Sequence, residues 1–190
     1  MSLATLGVRV LSVFRYPLVL SRATLVVFIN VGVPGSGLAN GLYDDPRTAE
    51  GWAWSKIQQG EEADLNENCG TPKIDPNDEK DVRWQENCRK LSARFLQDLL
   101  TRAPWREAAP LGGIAITGAR FDGNIDLSDA QLIRTLLITD SRVEGQIDLS
   151  NARTNSRISL DHFVMRDAFI AENLHSESQL DLHKGDLKKR

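Results

Sequence analysis

Two carboxylates stand in identical settings, Asp126 within Ile125-Asp126-Leu127-Ser128 and Asp148 within Ile147-Asp148-Leu149-Ser150. Arg120 recurs as Arg142, and Asp122 as Glu144, at the same offset. Acids that converge on one face can hydrolyse a glycosidic bond, one protonating the leaving oxygen and the other acting as base or nucleophile. A stripe of mixed charge can also hold a cation or a sugar. The plainer reading is a solvated wall in which Arg120 and Arg142 neutralise Asp122 and Glu144, because exposed pairs are common and contribute little. His162, His175 and His183 lack metal-ligand spacing with each other or with cysteine. His162 is expected to form an ordinary surface pair with Asp140. No nucleophile motif, Gly-rich phosphate loop or His-Glu-x-x-His is present. No catalytic residue, cofactor or metal is assigned.

The offset between these charges comes from a tandem repeat. From Ile114 onward, apolar or small residues fall at i, i+2, i+5 and i+7, and the pattern restarts at i+11. Ile114, Ile116, Ala119 and Phe121 form the first unit. Leu180, Leu182, Gly185 and Leu187 form the seventh, and no insertion breaks the register. Residues i and i+2 of a strand share a side, so each pair is a very short strand turned inward. Strands this close in sequence must coil rather than form long hairpins. Four pairs give a coil of 22 residues, stacked on its neighbours by parallel ladders at about 4.8 Å. The expectation is a mainly β fold: a short right-handed parallel β-helix of about three and a half coils over 111–190. Gly123 and Gly145 fall between pairs, where a corner is expected to need positive φ.

Residues 40–110 are expected to form a helical region that caps the β-helix. Asp45-Pro46 resembles a helix start that runs to Gly60. Residues 61–81 are polar and rich in turn formers, and read as a loop. A second helix is expected from about Asp81 to Thr101, with Trp84, Cys88, Leu91, Phe95 and Leu99 on one face. Cys69 and Cys88 are expected to pair, closing a loop that stabilises the fold by about 3 kcal/mol on the chain-entropy view.

Residues 1–39 hold Arg9, Arg15 and Arg22 and no acid. The apolar run Ala23 to Val33 follows, then Pro34-Gly35 and the small residues Gly37 and Ala39. This is the order of a secretory signal, with cleavage expected between Ala39 and Asn40. Eleven residues of helix cover roughly 17 Å, short of a bilayer core of about 30 Å. The competing reading is an uncleaved anchor, which would be the one route to a membrane. Export to a bacterial periplasm or envelope is the favoured compartment, and it suits a disulfide. Without the first 39 residues the chain has 20 basic and 26 acidic residues. That balance argues against nucleic acid as a partner, since phosphate backbones require a basic face.

The repeat resembles the pentapeptide-repeat family, which forms right-handed quadrilateral β-helices. Asp126-Leu127, Asp148-Leu149 and Asp181-Leu182 match its central dipeptide, Ala119, Ala130 and Ala152 its small inward position, and Phe121 and Leu132 its large one. The spacing here alternates five and six, and Arg120, Gln131, Arg142 and Arg153 replace the usual Asp or Asn. The layout also resembles exported bacterial proteins of no established activity. The resemblance implies a non-enzymatic interaction or scaffold module. The alternatives are a carbohydrate-binding or carbohydrate-active β-helix and, from the family, a DNA mimic that engages topoisomerases. A partner protein, a glycan or self-association through an open last coil are the expected contacts. That coil, from about Phe169, is expected to be the least ordered.

Overall fold

The structure, a computed structural model, describes residues 41–183 and the backbone of 186–187. The expected signal segment and its Ala39–Asn40 junction lie outside the described residues.

The repeat folds as a parallel β-solenoid. Strands β3 (Ile114–Thr117), β4 (Arg120–Asp122), β5 (Ile125–Asp126) and β6 (Gln131–Leu132) make the first coil. The second coil comprises β7 (Leu136–Thr139), β8 (Arg142–Val143), β9 (Ile147–Asp148) and β10 (Arg153–Thr154). The third comprises β11 (Ile158–Asp161), β12 (Val164–Met165), β13 (Phe169–Ile170) and β14 (His175–Ser176). A fourth begins with β15 (Leu180–His183) and β16 (Asp186–Leu187). Pairing is parallel at an offset of 22 residues, as in Ile116 with Ile138 and Ile125 with Ile147. The strands thus form four walls. Inward residues from Ile114 to Met165 are buried, apart from the half-buried Ala130. Phe169, Leu174 and Leu180 are only half-buried and Leu182 is 45% exposed, so the apolar core thins toward β15.

Corners explain why the repeat is eleven residues long. Gly118, Asp129, Asp140, Asn151, His162 and Asn173, each eleven after the last, all have positive φ. Gly, Asn, Asp and His are the types that tolerate this region best. Gly123 also has positive φ, at 97°. Gly145 does not, contrary to expectation. It is small for another reason: a Cβ there would lie 2.3 Å from Asn124 Oδ1 and 2.6 Å from the Gly123 carbonyl oxygen of the coil before.

The region before the repeat is more than a helical cap. Helix α1 (Ala49–Gln58) starts at Thr48, whose hydroxyl accepts from the Gly51 amide, rather than at Asp45. Residues 61–81 are not wholly loop. Ala63–Asp64 form strand β1, which pairs with β3, and Leu65–Cys69 form helix α2. The single helix expected over 81–101 is also replaced. Two 3₁₀ turns (Val82–Gln85 and Asn87–Arg89) lead into strand β2 (Lys90–Ser92), and helix α3 (Ala93–Thr101) begins only at its cap Ser92. The apolar spacing that suggests one helix serves two surfaces instead. Leu91 pairs with Phe121 across β2–β4, while Phe95 and Leu99 face the core from α3. Backbone groups at the first coil's edge demand partners. Strands β1 and β2 supply them on two walls, and α3 packs over β5, where Gln97 Nε2 donates to the Asp126 carbonyl at 2.8 Å. Short helix α4 (Trp105–Ala108) then leads into the first coil. Tyr43 closes the cap, its hydroxyl donating to the buried Asp98 carboxylate at 2.9 Å.

Candidate functional site

Each wall of the solenoid presents its outward residues as a column, and the columns differ in chemistry. On the β4–β8–β12 wall, Arg120 stacks directly on Arg142, as the repeat register requires. Glu144 lies between the cations: its carboxylate is 3.3 Å from Arg120 Nε, 3.5 Å from Arg142 Nε and 3.0 Å from Arg166 Nη1. Asp122 pairs with Arg120 at 3.1 Å and remains exposed. The charges neutralise one another as the plain reading holds, but the wall is not simply solvated. A strap, residues 70–86, lies over it. Arg142 is 5% exposed, donates to the Pro76 carbonyl at 2.5 Å and stands over the Trp84 ring at 5.8 Å. Arg89 lies 5.4 Å from the same ring and is fully buried, and burial lowers its pKa. Its guanidinium donates to Asn66, Gly118 and Thr71.

Cys69 and Cys88 anchor this strap. They form a disulfide with Cα atoms 5.3 Å apart. It ties the end of α2 to the 3₁₀ turn that precedes β2. Glu86 lies beside the Cys88 sulfur at 3.7 Å. The far side of the strap is held at a corner: Lys73 Nζ reaches Asp140 at 2.6 Å, and His162 Nδ1 lies 2.5 Å from the other Asp140 oxygen. Asp140 is 4% exposed, so the expected surface pair with His162 is a covered one.

Asp126 and Asp148 stack on the β5–β9–β13 wall, again in the expected register. Their carboxylates serve the fold. Asp126 Oδ1 accepts from the Ser128 amide at 3.0 Å and the Ser128 hydroxyl at 2.6 Å, and Asp148 Oδ1 accepts from the Ser150 amide at 2.8 Å. Both close a turn onto the serine two residues later, just before the positive-φ corners at Asp129 and Asn151. The hydrogen bonds from Ser128 hold the Asp126 carboxyl below its usual range. Asp181 belongs to a different wall, beside Ser159, and is held by Arg157 at 2.8 Å.

The fourth wall, β6–β10–β14, carries a column that spacing alone did not single out. Gln131, Arg153 and His175 stand in register in three successive coils. They line an open groove of about 340 Å³ together with Thr154, Asn155 and Glu177. The strap and this groove were missed because nothing local marks them. The corner residues could have been found, since the column Gly118, Asp129, Asp140, Asn151, His162, Asn173 contains only types that tolerate positive φ.

These features define a class: a parallel β-solenoid of 22-residue coils, with an N-terminal cap that adds strands to two walls and straps one of them. Compared with protein-family models, curated proteins and solved structures, the chain matches nothing. Among the described residues no helix is long and apolar enough to cross a membrane.

Proposed function

We propose that this is an exported, non-enzymatic interaction module of the bacterial envelope, built on a variant of the pentapeptide-repeat solenoid. The observation that carries the reading is the commitment of Asp126 and Asp148 to turn hydrogen bonds with Ser128 and Ser150. A general acid needs a carboxyl raised toward neutrality, and Asp126 is shifted the other way. The Cys69–Cys88 disulfide supports an oxidising compartment. Four parallel walls at a 22-residue offset support the pentapeptide-repeat kinship, and the positive-φ corners account for its longer unit. The half-covered core around Leu182 is a second contact surface, suited to a partner or another copy.

Incubation with a panel of neutral and acidic glycans tests the enzymatic alternative. The expected outcome is no cleavage. Cleavage abolished by Asp126→Ala or Asp148→Ala would replace this reading with a glycosidase or lyase. Export is tested by intact mass of envelope material, where the mature chain should begin at Asn40. Recovery of a chain still carrying Met1 through Ala39 would overturn processing.

A further inference from the structure

The β6–β10–β14 wall differs from its neighbours in what its side chains are free to do. On the other walls the stacked cations and several of the acids are engaged: Arg120 and Arg142 with Glu144, Arg157 with Asp181, Asp126 with Ser128. Among the described residues, Arg153 is the one arginine whose guanidinium meets neither an acid nor a hydrogen-bond acceptor. Each of the others has at least one of these contacts. Gln131 and Glu177 likewise have no side-chain hydrogen bond within the described residues. All four of Gln131, Arg153, His175 and Glu177 are exposed and line the groove.

The geometry sets the shape of a ligand. Neighbouring strands are about 4.8 Å apart, so a linear chain lying along the solenoid axis meets the Gln131 amide, the Arg153 guanidinium and the His175 imidazole at successive steps. The planar guanidinium fork suits a carboxylate, which it can bind with two parallel hydrogen bonds. The amide and imidazole on either side, with Asn155 at the rim, suit hydroxyl groups. Glu177 can accept from hydroxyls and repels a chain charged at every unit. No Phe, Tyr or Trp lines the groove, so it lacks the large stacking platform that single-stranded nucleic acid uses. We infer that this groove binds an acidic oligosaccharide in which uronate carboxylates alternate with neutral sugars, with Arg153 holding the carboxylate. The inference rests on the reading that the module binds without cleaving.

Isothermal titration of the full chain with a hyaluronan tetrasaccharide is the test, with neutral chitotetraose and a tetraglutamate peptide as comparators. The tetrasaccharide should bind, and chitotetraose should bind about tenfold more weakly or less, as expected for loss of a charge-assisted contact. Arg153→Ala should weaken the tetrasaccharide by about tenfold, Arg153→Lys by less and Gln131→Ala by a few-fold. Because Arg153 has no side-chain partner among the described residues, its variant should melt with the parent, which separates lost binding from lost structure. Absence of uronate binding, equal affinity for chitotetraose, or indifference to Arg153→Ala would each overturn the site. Binding of tetraglutamate alone would make it an acidic-peptide groove instead. None of these outcomes touches the non-enzymatic reading, which fails only if a glycan is cleaved.

Discussion

Asp140 and His162 occupy the same corner of successive coils, both at positive φ, and their side chains meet at 2.5 Å between Asp140 Oδ1 and His162 Nδ1. The other Asp140 oxygen takes Lys73 from the strap at 2.6 Å. One carboxylate therefore joins two coils to the segment that covers them. Asp140→Ala should cost about 2 kcal/mol, combining lost charge-assisted hydrogen bonds with a non-glycine, non-Asx residue forced to φ near 49°. Asp140→Asn keeps a tolerant residue and a neutral acceptor, so it should cost less. Urea melts of the two variants check this, and equal losses would show that the corner backbone contributes nothing.

The corner column makes its own prediction at an exposed position. Asn151 has φ 57° and stands eleven residues from both Asp140 and His162. Asn151→Gly should be neutral within a few tenths of a kcal/mol. Asn151→Ala should destabilise by about 1 kcal/mol, because alanine resists the left-handed region. Paired thermal melts decide it. Alanine as stable as glycine would contradict positive φ at this corner.

Ile147 and Asp148 are adjacent but face opposite ways, one 4% exposed in the core and the other on the wall. Ile147→Asp should be severely destabilising, since it removes an apolar contact of about 1.5–3 kcal/mol and buries an unpaired carboxylate. From sequence alone Asp148→Ala would be nearly silent. Its hydrogen bond to the Ser150 amide raises the expected cost to about 1 kcal/mol. Denaturant titration should rank the two in this order, and the reverse order would mean a shifted register.

The disulfide should matter to the strap more than to the coils. Peptide mapping without reductant should join the peptides that hold Cys69 and Cys88, and free thiol at both would refute the bond. Replacing both by serine should cost about 3 kcal/mol by relaxing the unfolded chain's constraint. Hydrogen exchange should rise first in 70–86, with Ile138 and Leu160 still protected. Uniform loss across the coils would show that the strap and the solenoid unfold as one unit.

The sequence by itself determined the coil. Period-two pairs such as Ile125 and Leu127 bury themselves only if the backbone turns after each pair, and an unbroken eleven-residue register leaves stacking at 22 residues as the way to satisfy both core and backbone. It also determined which residues stack, Arg120 on Arg142 and Asp126 on Asp148. Only the tertiary structure decided what those residues meet. Local spacing could not tell that Leu91 belongs to a strand and Phe95 to a helix, because both positions satisfy a helical stripe while only pairing with Phe121 distinguishes them. Nor could it tell that Arg142 is roofed by Pro76 and Trp84 while Arg153, the same outward step on another wall, is left uncovered. The repeat treats its walls alike. The difference arises from contacts between residues 66 positions apart, which depend on where the strap crosses the finished solenoid.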